Sequence, residues 1–383
     1  MPESTTPHHL LNTSWTLHRL SPLHHGKEFQ TVVDNPTALS TYAARLRDQL
    51  TGDVLAGLQQ PAPVPAGEDD DGLSKIGALK TCTWEGIGMS LLTNEDDNDN
   101  DNDDNEEEGK GVLIVLDYEN ATYKVVLLPG LKPAPGNTTT TTPTTTTTQP
   151  TDRQGGSTHL PLLMTRLPTS LRQTVVSFLS GSFDTYCTAL RLPMSFMCVG
   201  LETYVDAFLD SEYGDSSDTL QSVVKDMHLT LSFSRSIAPA LKALNITVPR
   251  TSVDEFLRSS PGTGSSASSK AFLANISQYI EKHLSLKLDL SASSPTGSAA
   301  AQTPAKQHVR LSKIACGGFV LGAEGRIKLV GRTGGSSRDR VRDDEDSRMQ
   351  NEREKLEVRG SEALLRVVMQ RVGGGGGNQM RES

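Results

Sequence analysis

Residues 226–233 have the sequence Asp226-Met227-His228-Leu229-Thr230-Leu231-Ser232-Phe233, in which polar and apolar side chains alternate. Successive side chains of a β-strand point to opposite faces of a sheet, so the alternation predicts a strand with one buried and one solvated face. One-sided burial of this kind is typical of antiparallel sheets, because parallel sheets are covered on both faces. The sequence therefore predicts an antiparallel sheet.

Further strands and several helices follow from the same type of pattern. Half-buried strands are predicted at Ser14 to Leu20, Val112 to Leu116, Tyr123 to Leu128, Val309 to Cys316 and Arg326 to Val330. The first helix begins at Asn35-Pro36, a capping residue followed by proline, and ends near Gly52. Its predicted buried face is Leu39, Tyr42, Ala43, Leu46 and Leu50. Further helices are predicted after Pro168, over Leu201 to Leu209 and over Lys270 to His283. Strands and helices in this mixed order indicate the α+β class, with a largely antiparallel sheet and packed helices.

Only part of the 383 residues is expected to pack into this core. Apolar residues make up 35% of the chain, below the roughly 45 to 50% of a typical globular domain even when glycine is left out of that comparison. Low-complexity stretches rich in Asp, Asn, Thr, Ser, Pro or Gly interrupt the pattern, and we expect them to be disordered insertions. The predicted organisation is an N-terminal α+β region 10–131 with an acidic insertion 94–110, a Thr-rich linker 132–157, a C-terminal α+β sheet region 158–332 with Ser/Gly insertions, and a charged tail 333–383 with a helix over 361–371.

The net charge of −9 comes from the insertions rather than from the predicted core. Residues 94–108 contain ten carboxylates and no cation, so the rest of the chain sums to +1, and without the four carboxylates of Glu68 to Asp71 the remainder is about +5. A mildly basic folded part is compatible with nucleic acid. Arg19, Arg45 and Arg47 could form a basic, nucleic-acid-binding face near the first helix, or they could be ordinary solvated cations.

No catalytic or cofactor signature is found, and we expect a protein that is not an enzyme and has no cofactor. Asp97 to Glu108 has carboxylates at calcium-loop spacing, but Asn102 stands where that loop needs glycine, so a solvated acidic loop is favoured. The four cysteines are far apart and predict buried thiols in a reducing compartment. Without a secretory signal or an apolar membrane span, the sequence indicates a soluble protein of the cytosol or nucleus.

Two segments near the N-terminus resemble a known family. Residues Leu10 to Leu23, with the sequence LLNTSWTLHRLSPL, and residues Ala43 to Leu55, with the sequence AARLRDQLTGDVL, look like the opening of the fungal inner kinetochore subunit of the centromere protein L family. Weaker similarity lies in Phe178 to Asp184, in Leu190 to Pro193 and in Gly325 to Leu329.

The resemblance implies a curved, largely antiparallel sheet and a nuclear protein of the chromosome, centromere and kinetochore. It implies a non-catalytic subunit that pairs with a centromere protein N type partner as a heterodimer, within the constitutive centromere-associated network. Other inner kinetochore subunits and the centromeric nucleosome or its DNA are the further implied partners, and no membrane is involved. The implied task is protein–protein interaction that supports chromosome segregation in cell division.

The partner interface is predicted at the two strand-like runs between Val309 and Val330. Little sequence follows to cover a sheet edge there, and an uncovered edge offers unpaired N–H and C=O groups to a partner strand. The expected partner-binding residues are Leu311, Ile314, Phe319, Leu321 and Ile327. A general nucleic-acid-binding module of the nucleus is the alternative function, and a hydrolase with an unrecognised site is a third.

Overall fold

A computed structural model describes residues 10–55, 76–88, 110–131, 156–209, 216–236, 238–258, 269–288, 290, 308–331 and 344–374. Within these ranges there are thirteen strands and seven α-helices. The strands are β1 Ser14–Leu20, β2 Leu23–His24, β3 Leu79–Ile87, β4 Gly111–Tyr118, β5 Thr122–Leu128, β6 Ser157–Thr158, β7 Leu162–Arg166, β8 Cys187–Ala189, β9 Met227–Phe233, β10 Ala243–Val248, β11 Val309–Ala315, β12 Phe319–Gly322 and β13 Arg326–Leu329. The helices are α1 Pro36–Leu55, α2 Thr169–Phe183, α3 Met194–Leu209, α4 Ser216–Val224, α5 Val253–Leu257, α6 Ser269–Leu284 and α7 Asp344–Gly373.

One 11-stranded sheet runs through the molecule in the order β10-β9-β11-β12-β13-β1-β7-β5-β4-β3, with β8 pairing beside β1. Every strand pair in it is antiparallel. The short strands β2 and β6 pair separately. The predicted α+β class is confirmed.

Helices α1 and α2 cover one face of the β1-β7-β5-β4-β3 half of the sheet. Asn35 caps α1, because its side-chain oxygen accepts a hydrogen bond from the Ala38 N–H at 3.1 Å. The predicted face of α1 is buried, with Leu46 fully covered. Tyr42 of α1 contacts Phe183 of α2 and Trp84 of β3, with ring centroids 4.5 and 6.0 Å apart. These aromatic side chains anchor both helices on the sheet.

Helices α3 to α7 form a second core on the opposite side of the sheet. Their apolar side chains pack with those of β9, β11, β12 and β13 in one buried cluster. Helix α7 lies along α3, where Gly200 and Gly360 allow close approach. The central strands β4, β5 and β7 contribute to both cores, since neighbouring residues such as Val125 and Val126 are buried in different clusters.

The predicted strands and helices are confirmed, with shifted ends. The helix after Pro168 continues past Gly181 to Phe183, and α3 begins at Met194 rather than Leu201. Strands of both predicted regions, 10–131 and 158–332, join the same sheet, because β7 and β13 pair with β1. The helix predicted over 361–371 begins earlier, at Asp344. The insertions predicted at 94–110 and 132–157 lie outside the described residues except at their ends, where Lys110, Gly156 and Ser157 are described and Ser157 belongs to β6. Further low-complexity stretches at 59–72 and 291–307 also lie outside the described residues.

Candidate partner and nucleic-acid interface

The five predicted partner-binding residues lie inside the second core. Leu311, Ile314, Phe319, Leu321 and Ile327 are at most 2% exposed. The prediction of an open sheet edge between Val309 and Val330 is wrong. Strand β11 pairs with β9 and β12, and strand β13 pairs with β12 and β1. Strand order depends on pairings between distant segments, which the local sequence did not reveal. The role of these residues in partner binding stays a prediction.

The least protected sheet edge is β10, at one end of the strand order. No other described strand pairs with its outer side. Its sequence, Ala-Leu-Asn-Ile-Thr-Val, contains no charge and no proline, and it pairs with β9 over six consecutive residues without a bulge. Charges, prolines and bulges are the usual protections of an edge strand. Leu241, just before β10, is 44% exposed and adds an apolar side chain to this edge.

The two other edges have such protections. Strand β3, at the far end, carries Lys80 and Glu85 and has a register irregularity between Leu79 and Thr81. Strand β8 has only three residues. The features that deter unwanted strand pairing are therefore present at β3 and β8 and absent from β10.

The hydrogen-bond pattern shows which backbone groups of β10 point outward. The Phe233 N–H donates to the Lys242 carbonyl at 3.4 Å, so this is a hydrogen-bonded pair of the β9–β10 ladder. Antiparallel pairs alternate between hydrogen-bonded and non-hydrogen-bonded types. The N–H and C=O groups of Ala243, Asn245 and Thr247 consequently face away from β9. Their side chains are exposed as well.

A second candidate surface is the sheet face that α1 and α2 leave open, which we call the open basic face. It is the side of strands β9 to β13 opposite helices α3 to α7. Arg310, Lys313 and Arg326 are exposed there and Lys328 is half-buried. Cross-strand registers place these side chains on the same face, since Lys313 lies opposite Gly322, and Gly322 opposite Arg326.

Strands β9 to β13 contain no Asp or Glu, so no carboxylate of these strands offsets the four cations. None of the four forms an ion pair with another described residue.

The remaining groups of the open basic face are small hydrogen-bonding side chains. Thr230 donates to the Asn245 side-chain oxygen at 2.9 Å, and the His228 ring lies 3.1 Å from the Thr247 hydroxyl. The exposed and half-buried positions on this side of β9 to β13 include no Phe, Tyr or Trp. Without these large rings for base stacking, the face fits phosphate groups better than unpaired bases.

The structure does not bring Arg19, Arg45 and Arg47 together into one face. Arg19 lies on β1 near Arg371, on the side of the sheet opposite α1. Arg45 on α1 forms an ion pair with Glu28, and Arg47 lies 3.5 Å from Asp48. Their role in nucleic-acid binding stays a prediction. The open basic face was missed because its cations are separated in sequence and meet only through strand pairing.

The titratable side chains of the two cores show no activated nucleophile. Burial raises the pKa of Cys82, Cys187 and Cys316 to about 11, so these thiols stay protonated at neutral pH. Burial also raises the pKa of Tyr204 well above its usual value. Within the described ranges, no group of three or more histidine, cysteine or carboxylate side chains is placed to hold a metal ion. None of the described helices is long and apolar enough to cross a membrane.

Comparison with known proteins gives one family. The family described as "Centromere protein L" matches residues 9–372, nearly the whole chain. No curated protein matches the sequence.

Proposed function

The chain belongs to the centromere protein L family, a structural family of the kinetochore, and from this membership we propose that it is a non-catalytic assembly subunit that pairs with a centromere protein N type partner. The pair would work in the inner kinetochore, in the constitutive centromere-associated network of the nucleus, and support chromosome segregation. The observation that carries the pairing is the uncharged, regular edge strand β10.

Strand addition at β10 explains how the pair would form. A partner strand would bond to the outward groups of Ala243, Asn245 and Thr247, and six residues of β10 offer a template about 20 Å long. Main-chain bonds of this type give affinity, while alternate side chains give specificity. The exposed Leu241 would be covered at one end of the added strand.

Substitution of Asn245 tests this interface. Asn245→Pro removes an outward N–H and leaves the β9–β10 ladder intact, because Asn245 lies in a non-hydrogen-bonded pair. Asn245→Ala is the matched control, since it loses the same side-chain hydrogen bond from Thr230 but keeps the N–H. Both purified full-length variants are titrated against the centromere protein N type subunit of the same organism.

We expect Asn245→Pro to weaken binding by about 10- to 100-fold, since a lost hydrogen bond leaves a partner carbonyl unpaired at a cost of about 1–3 kcal/mol. Asn245→Ala should bind within about threefold of wild type. Circular dichroism and thermal melts of both variants verify the fold. Equal affinity of the folded proline variant and wild type would place the interface elsewhere.

The open basic face supports a second proposed role, contact with the phosphates of centromeric DNA. Each neutralised phosphate lowers log K by about 0.9 per unit of log salt, so four contacts predict a slope near −3.6. Gln at Arg310, Lys313, Arg326 and Lys328 should reduce this slope to about zero in fluorescence anisotropy with a labelled duplex. The matched control replaces four exposed lysines elsewhere, Lys27, Lys80, Lys282 and Lys355, with Gln. Equal loss in both sets would mean that net charge, rather than this face, binds the duplex.

A further inference from the structure

The open basic face has a ligand candidate in the chain itself, the acidic segment of residues 95–108. This segment contains ten carboxylates and no cation, whereas strands β9 to β13 contain no carboxylate. The two charge patterns are therefore complementary. The segment lies outside the described residues, between Gly88 after β3 and Lys110 before β4.

The described residues at the base of the segment show the side of the sheet from which it leaves. The Lys110 ammonium forms an ion pair with Asp34 at 2.9 Å, and Asp34 lies just before α1. Helix α1 covers the face formed by Val112, Ile114 and Leu116 of β4. Cross-strand registers continue this face through Thr165 of β7 and Thr16 of β1 to Arg326 of β13. The base of the segment and the open basic face are consequently on the same side of the sheet.

The chain between Gly88 and Lys110 is long enough to reach that face. Strand β13 is four strands from β4, and β11 is six strands from it. At about 4.8 Å per strand these separations are roughly 19 and 29 Å. An extended arm of about ten residues spans at most roughly 33–36 Å, which exceeds both separations across the strands.

We propose that residues 95–108 dock on the open basic face and compete there with nucleic-acid phosphates. Individual exposed ion pairs are weak, but a tether of this length holds the segment at an effective concentration in the millimolar range. Docking needs only the charges of this chain. The competition rests in addition on the proposed nucleic-acid contact.

Zero-length carbodiimide crosslinking of the full-length protein tests the docking itself. Lys313 and Lys328 should form crosslinks to the carboxylates of 95–108, and the crosslinks should disappear at about 0.5 M salt, where the Debye length is a few ångströms. A mixture of unlabelled and ¹⁵N-labelled chains distinguishes contacts within a chain from those between chains. Crosslinks that join Lys110 to the segment but leave both Lys313 and Lys328 unmodified would overturn the proposal, and so would contacts only between chains.

Duplex binding tests the competition with a matched charge control. One variant carries Asn at Asp99, Asp101, Asp103 and Asp104, and the other carries Gln or Asn at Glu68, Asp69, Asp70 and Asp71. Both change the net charge by the same amount. Docking predicts that only the variant with Asn in the 95–108 segment raises duplex affinity, by about threefold or more at low salt. The same variant should form fewer crosslinks to Lys313 and Lys328.

The outcomes separate the two ideas. Absence of duplex binding in every variant, with crosslinks to Lys313 and Lys328 retained, would remove the proposed nucleic-acid contact and keep the docking. Equal affinity gains in both charge sets without crosslinks to the face would overturn the docking and leave only long-range repulsion.

Discussion

A methyl group at Gly360 tests the packing of the C-terminal helix, which sequence patterns did not place in the core. A Cβ at this position of α7 would lie 2.7 Å from Cε2 of Phe208 and 2.8 Å from Cε2 of Tyr204. Both rings are fully buried, and Tyr204 is held against Phe319 at a centroid distance of 4.7 Å. The rings have little room to move away from an added methyl group.

Gly360→Ala should therefore lower the free energy of unfolding, whereas Gly→Ala within a helix usually raises it. In an open helix position, Gly→Ala stabilises by up to about 1 kcal/mol. At Gly360 overpacking costs about 1–3 kcal/mol, so after the gain in helix propensity the net change should be a destabilisation of up to roughly 2 kcal/mol. Gly181→Ala in α2 is the matched control, because no described atom beyond its own helix backbone and chain neighbours lies within 4 Å of the added methyl group.

Thermal denaturation of the two variants gives the comparison. The variants should differ by about 1–3 kcal/mol, which corresponds to a difference in Tm of roughly 2–12 °C for a domain of this size. Gly181→Ala should melt at or above the wild-type Tm and Gly360→Ala below it. A Gly360→Ala protein as stable as the Gly181→Ala protein would show that α7 does not pack on Tyr204 and Phe208.

Three further predictions concern the N-terminal core and the insertions. Leu46→Asp places an unpaired carboxylate in the buried face of α1 and should cost about 3–5 kcal/mol, measured as lost soluble yield and a lower Tm, whereas a normal yield and Tm would contradict the burial. Burial, together with the positive charge of Arg172, lowers the pKa of His18 in the folded protein. The unfolded chain therefore takes up a proton at His18 at a higher pH than the folded protein does, and the free energy of unfolding should fall as the pH drops below about 6.5. Melts at pH 7.5 and 5.5 should show a smaller decrease for His18→Gln than for wild type, and an equal decrease would exclude His18 as a source. Deletion of 94–109 and 132–155 with short linkers, which keeps Lys110 and strand β6, should leave Tm nearly unchanged, and a loss of several degrees would show that these segments pack.

Local patterns predicted the elements whose signals are contained within one segment. Helix α1 has a capping residue, a proline start and a regular apolar face, and all three lie within twenty residues. The alternation in β9 likewise identified its buried face and its antiparallel pairing with neighbouring strands. These signals depend on geometry that a single strand or helix already defines.

Helix α7 was predicted only in part because its apolar residues are unevenly distributed along the sequence. The half before Gly360 is dense in charged residues, and the fully buried side chains Leu364, Leu365, Val368 and Met369 all follow it. Gly360, in the middle of this segment, also predicts the end of a helix when only the local sequence is considered. In the fold, that glycine is required by the rings of α3, which no local pattern reveals.

The candidate surfaces could not be predicted, because each depends on strand order. We predicted a sheet edge at Val309 to Val330 because a charged tail follows it in sequence. In the fold, β9 pairs with β11 on one side of this segment and β1 pairs with β13 on the other, and both partner strands are distant in sequence. Strand β10 is a free edge because nothing described pairs beyond it. Lys313 and Arg326 share a face only because β12 lies between their strands.

Quantitative mass spectrometry of proteins that co-purify with the tagged, full-length chain from nuclear extract tests the central claim most directly. The account predicts that wild type and Asn245→Ala recover the centromere protein N type subunit together with other inner kinetochore subunits, and that Asn245→Pro loses the centromere protein N type subunit. Recovery of that subunit at equal levels with all three proteins would contradict the β10 interface. Recovery of no kinetochore subunit with the wild-type chain would contradict the proposed assembly itself.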